Sequence, residues 1–249
     1  MNRVRILGIG VDALTQADAV EWVSSEIAGE TPRQVATVNP EFVMRAQRDR
    51  AFRDVLNHAD LCLPDGYGVI WAARRLGHPL PERIAGVDFV QALARRGARS
   101  GWRFFLLGAA PGVAEAAAAQ LIDAAPGLVV VGCLAGSPEA SADAEVTAAV
   151  RAVRPDIVLV AYGAPNQDLW IARNLHATGA RVAIGVGGAF DFLSGRSRRA
   201  PRWMRERGLE WLHRLAREPW RWRRMLALPR FALAVVRQRA GPDENLTGG

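Results

Sequence analysis

Asp65 stands between Pro64 and Gly66, where a short, mostly apolar stretch over 60–63 stops. A carboxylate so placed can act as a general base that takes the proton of an attacking hydroxyl. It can equally close an Asx turn on its own loop. Two amides, Asn39 and Gln167, follow other apolar runs and suit sugar hydroxyls or the edge of a uracil ring; either is also an ordinary turn former. Arg83, directly after Glu82, has the planar fork that clamps phosphate bidentately, with a surface ion pair as the plainer reading. Gly108-Ala-Ala-Pro-Gly112 precedes an Ala-rich stretch, where backbone N–H groups and a helix dipole could cradle a phosphate. It has neither the Gly-Lys-Ser/Thr of a Walker A loop nor the GxGxxG spacing, so an ordinary strand-to-helix turn is the alternative. Gly185-Val-Gly187-Gly188 would let a backbone approach a ligand closely, or serve only the geometry of a turn.

Other chemistries are excluded by what is missing. The chain has 249 residues and two cysteines, Cys62 and Cys133, each alone in an apolar run. That rules against a zinc ribbon, an iron–sulfur cluster or a disulfide scaffold. The four histidines are scattered without HExxH spacing, so neither a metal centre nor a cofactor is expected. The longest uncharged apolar runs, 128–135 and 182–190, have eight and nine residues, whereas a spanning helix needs roughly 20. The first apolar run ends at Asp12, too early for a secretory signal. The expectation is a chain neither exported nor membrane-spanning.

The charge is unevenly distributed. All 32 basic residues are Arg, and the net charge is +7. Residues 196–239 hold 14 Arg against Glu206, Glu210 and Glu218, a local charge of +11, while the rest carries −4. The same stretch holds Trp203, Trp211, Trp220 and Trp222. Arg with Trp suits an anionic membrane surface or a nucleic acid. A net-acidic body without a nucleic-acid motif argues against nucleic acid. The competing reading is a basic-tailed α/β protein that binds membrane or nucleic acid without catalysis, and the plainest is a helix pair with a solvated Arg face.

The elements that would hold these residues alternate. Short strands are expected over 3–11, 34–38, 60–63, 103–107, 128–133, 156–161 and 181–185. Helices are expected over 17–27, from Pro40, over 69–76, and over 112–124, 139–153 and 165–177. This pattern predicts an α/β fold, a Rossmann-like parallel sheet with helices on both faces and ligands at the carboxyl ends of the strands. A C-terminal basic helical appendage is expected to follow: one helix over 202–215 and a second segment over 220–236 broken by Pro229. The expected division is a catalytic domain over 1–195, the Arg/Trp-rich appendage over 196–239 and a flexible tail over 240–249.

Taken in order, several stretches resemble the WecG/TagA/CpsF family of bacterial glycosyltransferases, glycosyltransferase family 26. They are TVNPE (37–41), LPDGYGV (63–69), ERIAGVD (82–88), FFLLG (104–108), PDIVLVAYGAPNQD (155–168), GVGGAFDFLSG (185–195), RAPRW (199–203), GLEWLHRL (208–215) and EPWRWRR (218–224). The resemblance implies a GT-E-like fold and a metal-independent enzyme that inverts the anomeric centre. It would move a hexosyl residue, of N-acetylmannosamine or glucose type, from a UDP-sugar to a polyprenyl-diphosphate-linked sugar in cell-surface polysaccharide synthesis. It also implies a cytoplasmic protein held peripherally on the inner face of the cell membrane, and leaves homo-oligomerisation open. By this resemblance Asp65 is the catalytic base, and Thr37, Asn39, Arg83 and Gln167 form the substrate pocket. Asp191 borders the nucleotide site with the loop glycines Gly108, Gly185, Gly187 and Gly188, and Arg214, Arg221 and Arg224 engage diphosphate. Asp168 stands where the family usually has Glu, and His213 where Tyr is common.

Overall fold

The computed structural model describes residues 2–217, 219 and 222–238, without the side chains of Arg202, Glu206, Arg214, Arg223 and Arg224. In chain order the elements are β1 (Arg3–Ile6), β2 (Ile9–Asp12), α1 (Gln16–Ala28), β3 (Arg33–Val38), α2 (Pro40–Ala46), α3 (Arg50–His58), β4 (Leu61–Pro64), α4 (Tyr67–Arg75) and α5 (Gly86–Ser100). They continue with β5 (Arg103–Gly108), α6 (Val113–Ala124), β6 (Val129–Leu134), α7 (Asp143–Ala152), β7 (Ile157–Ala161), α8 (Asn166–Thr178), β8 (Val182–Gly185) and α9 (Ala189–Leu193). The basic segment forms α10 (Arg202–Glu206), α11 (Glu210–Arg217), α12 (Trp222–Met225) and α13 (Ala227–Arg237).

Six strands make one parallel sheet in the order β4-β3-β8-β7-β5-β6. Its central strands are buried on both faces, which explains their continuous apolar runs. The alternation is still visible in where each side chain goes. Leu61, Leu63, Leu106, Leu159 and Ile184 face a core shared with α1, α5, α6 and α9. Phe105, Val158, Val160 and Ala183 face α7 and α8 on the other side. A further core gathers Ala36, Val38 and Cys62 with β1, β2, α2, α3, α4 and α13. The expected α/β fold with helices on both faces of a parallel sheet is what the structure has.

Three expectations need correction. The single strand over 3–11 is an antiparallel hairpin, β1 with β2, turned at Leu7 and Gly8 with φ of 50° and 81°. Two consecutive positive φ values make the tight turn whose twist matches the strands, and Leu at such a position gives no composition signal. The single helix over 202–215 is two, α10 and α11, divided at Gly208 (φ 72°). The break in the second segment falls at Leu226, between α12 and α13, and Pro229 lies in the first turn of α13, where an N–H has no helical acceptor to lose.

Helix α2 follows β3 on one side of the sheet, whereas α9 follows the neighbouring strand β8 on the other. Adjacent strands whose connections leave in opposite directions open a crevice at their carboxyl ends. The candidate site lies there.

Candidate active site

The crevice is a cavity of about 500 Å³ bounded by the ends of β3, β4 and β8 and roofed by residues from the basic segment. Asn39 and Asp65 enter it directly after β3 and β4. Asn39 also caps α2, its Oδ1 accepting from the Phe42 N–H at 3.1 Å, and Pro40 at the next position pre-sets the helical φ. Asp65 follows β4 at the point where its N–H donates to the Val38 carbonyl (2.8 Å). Gly66 (φ 102°) then turns the chain into α4. Among the described residues no hydrogen bond from its own turn reaches the Asp65 carboxylate, and the backbone N–H of Gly86, at the start of α5, favours its charged form.

The electrostatics around Asp65 are opposed. Enclosure by protein disfavours its charged form and pushes its pKa up to about 6. Arg83 and Arg199 pull it down, and Glu210 pushes it up. Arg83 is mostly buried (side chain 14% exposed), so its pairing is not the surface ion pair that the sequence left open. Its guanidinium lies 5.0 Å over the Tyr67 ring, and its Nη1 donates to Glu210 Oε2 at 3.1 Å. Arg199 binds Asp88 with two parallel hydrogen bonds of 2.5 and 3.1 Å. Burial works against the Asp88 charge, but this fork holds its pKa below the usual carboxylate value.

Gly188 lines the cavity; Thr37, Gln167, Gly185 and Gly187 lie behind it and shape its loop. Thr37 Oγ1 donates to the Gly185 carbonyl at 2.9 Å, and Gln167 Oε1 accepts from the Gly187 N–H at 2.9 Å. A side chain at Gly185 would meet Gln167 Nε2 at 2.6 Å and Asp168 Oδ1 at 2.8 Å, so the strand ends in Gly because two polar side chains pack flat against it. Asp168 is fully buried there, with no hydrogen bond to either carboxyl oxygen among the described residues. Burial, opposed by Gln167, pushes its pKa up to about 7.

Two further expected residues do not line the cavity. Asp191 is half-buried in α9, where its carbonyl receives the Ser197 N–H at 2.8 Å. Gly108 (φ 101°) packs on the Ala161 backbone, which a side chain would approach to 2.8 Å. Arg221 and the side chains of Arg214 and Arg224 lie outside the described residues.

The residues that sequence reasoning did not place in the site come from the roof and from one neighbouring helix. Arg199, Glu210 and Trp211 line the cavity from beyond position 195, and Trp71 from α4. Met225, Leu228 and Phe231 give it an apolar wall. A signal for Glu210 existed: it is one of three acids among 14 arginines. An isolated acid in such company is placed to pair. Among the described residues no group of three or more His, Cys, Asp or Glu could hold a metal ion, and no helix is long and apolar enough to cross a membrane.

A family model described as Glycosyl transferase WecG/TagA/CpsF family matches residues 4–245. The chain is 37% identical over 205 residues, 82% of its own length and 79% of the relative's, to a protein of Bacillus subtilis (strain 168). That protein is named N-acetylglucosaminyldiphosphoundecaprenol N-acetyl-beta-D-mannosaminyltransferase. Proteins of the same name from Bacillus spizizenii (37% over 215 residues, covering 86% and 83%) and Staphylococcus aureus strain MRSA252 (29% over 240 residues, covering 94% and 92%) are also similar. A match over nearly the whole chain, on a parallel α/β sheet with its cavity at the strand ends, makes this chain a glycosyltransferase belonging to the WecG/TagA/CpsF family.

Proposed function

We propose that the chain transfers a hexosyl residue from a UDP-sugar to a polyprenyl-diphosphate-linked sugar, with inversion at the anomeric carbon. The observation that carries this reading is a carboxylate of raised pKa, Asp65, in one cavity with arginine and an apolar wall. An acceptor hydroxyl attacks the anomeric carbon as Asp65 takes its proton, and the bond to UDP breaks with its electrons on the diphosphate oxygen. The negative charge that develops there is met by Arg83 and by the backbone of the 185–188 loop, which Thr37 and Gln167 hold in shape. Asn39, at the cavity edge, offers its amide NH2 to a sugar hydroxyl. The names of the relatives favour an N-acetylmannosaminyl donor and an N-acetylglucosaminyl-diphosphate lipid acceptor.

The basic segment over 196–239 acts, on this reading, both as the roof of the site and as the contact with the inner face of the membrane. Trp203, Trp222, Leu226, Leu233 and Val236 are exposed on it among many arginines. Anionic lipid attracts each Arg near the surface by about 1 kcal/mol. The test incubates the full chain with a panel of UDP-sugars and a synthetic N-acetylglucosaminyl-diphosphoryl lipid, with and without chelator, and reads products by mass spectrometry. One added hexosyl mass from one donor is the expected result. No product from any donor, while UDP fails to bind by calorimetry, overturns the reading.

A further inference from the structure

Two arginines from different parts of the chain reach for one carboxylate. Arg83 Nη1 lies 3.1 Å from Glu210 Oε2. Arg199 Nε stands 3.7 Å from Glu210 Oε1, beyond hydrogen-bonding reach. That Nε is buried and has no hydrogen-bond partner among the described residues, although the rest of the Arg199 fork is committed to Asp88. The planar carboxylate thus satisfies one arginine and leaves the other with an unmet donor aimed at the same place.

Glu210 opens α11, which packs on α10 and α12, its neighbours in sequence. Trp211 and Leu212 beside it are exposed. Just before it, Gly208 lies against Tyr67 so closely that a side chain there would come within 2.8 Å of the ring. The carboxylate enters the cavity beside Asp65, where an incoming anionic group would also have to sit. A phosphate carries more charge than a carboxylate and offers three oxygens in a tetrahedral arrangement. It can accept from Arg83 and from the unmet Nε of Arg199 together.

We propose that Arg83 and Arg199 form one phosphate-binding site, and that Glu210 is a built-in competitor that a phosphate displaces from it. The inference rests on reading this cavity as the site of transfer, and adds two residues to it. Arg199 is a binding residue for the substrate diphosphate. Glu210 holds Arg83 and keeps weaker anions out of the site until that diphosphate arrives.

The test measures inorganic pyrophosphate and UDP binding by calorimetry on the full chain and on Glu210→Gln, Glu210→Ala, Arg199→Gln and Arg83→Gln, with thermal melting to show that each variant is folded. Both Glu210 variants are expected to bind pyrophosphate at least threefold more tightly than the native chain, and both arginine variants at least fivefold more weakly. Unchanged or weaker binding by the folded Glu210 variants overturns the competitor role. Unchanged binding by Arg199→Gln removes Arg199 from the site. If Arg83→Gln binds pyrophosphate normally, the cavity is not a phosphate site at all. The transfer reading is judged separately by the product assay, which can succeed while the competitor role fails.

Discussion

The Asp65 carboxylate lies beneath two arginines and one glutamate, and its chemistry follows from that company. Its pKa, about 6, exceeds the ordinary carboxylate value because enclosure outweighs the arginines. A general base works only when ionised, so transfer should fall about tenfold per pH unit below about 6 and level off above it. A pH profile of kcat/KM with no acid limb near 6 would remove Asp65 from that role. Asp65→Asn should cut turnover by about 10²–10⁴-fold. It should not lower the melting temperature, since a raised folded pKa means the ionised group opposes folding as pH rises from about 4 through 6. Asp168 has the same sign and lies deeper. Its pKa, about 7, makes its ionisation unfavourable to the fold, so its contribution weakens stability as pH climbs from about 4 to 7. Asp168→Asn is neutral at every pH. Its melting temperature relative to the native chain should therefore be higher at pH 8 than at pH 5, which a pair of thermal melts decides.

At the scale of elements, most of the sheet is legible in the sequence because its strands are unbroken apolar runs that stop at Gly, Pro or Asn. The strand ends carrying Asn39 and Asp65 were readable for that reason. Helices α3 and α5 were not foreseen. α3 buries only Phe52 and Leu56 in an otherwise charged sequence, and α5 mixes its apolar stripe with Arg95, Arg96 and Arg99. The roles of Thr37 and Gln167 were also only half visible. Sequence gives their types, but that they hold the 185–188 loop rather than face the cavity depends on strands β3 and β8 lying side by side. Pairing of this kind is set by the whole topology, not by local pattern. Gly108 is an element-scale test. Its φ of 101° and its contact with the Ala161 backbone leave no room for a side chain. Gly108→Ala should cost about 1–3 kcal/mol of stability, measured by denaturant unfolding.

Across the whole molecule, the basic segment is both periphery and core. Arg199 ties its beginning to Asp88, and Phe231 and Val235 bury its last helix against α2 and α4. Phe231 is 2% exposed. Phe231→Ala should therefore destabilise the chain by about 3–5 kcal/mol, read as a drop in the denaturant midpoint. Deleting everything after position 195 should expose the apolar faces of α2 and α4 on which α13 packs and raise binding of a hydrophobic dye. Loss of activity in such a truncation would then report lost packing as much as a lost roof.

The hairpin at the start of the chain has a consequence in time. Gln238 receives the Leu7 N–H at 2.9 Å and donates to the Arg5 carbonyl at 3.3 Å, joining positions 231 and 233 apart. Contacts so distant in sequence close late. During synthesis the body emerges first, but the cluster around β1 and β2 stays open until α13 arrives to fill it. The apolar wall that Phe231 gives the cavity is therefore set only once α13 docks against this cluster.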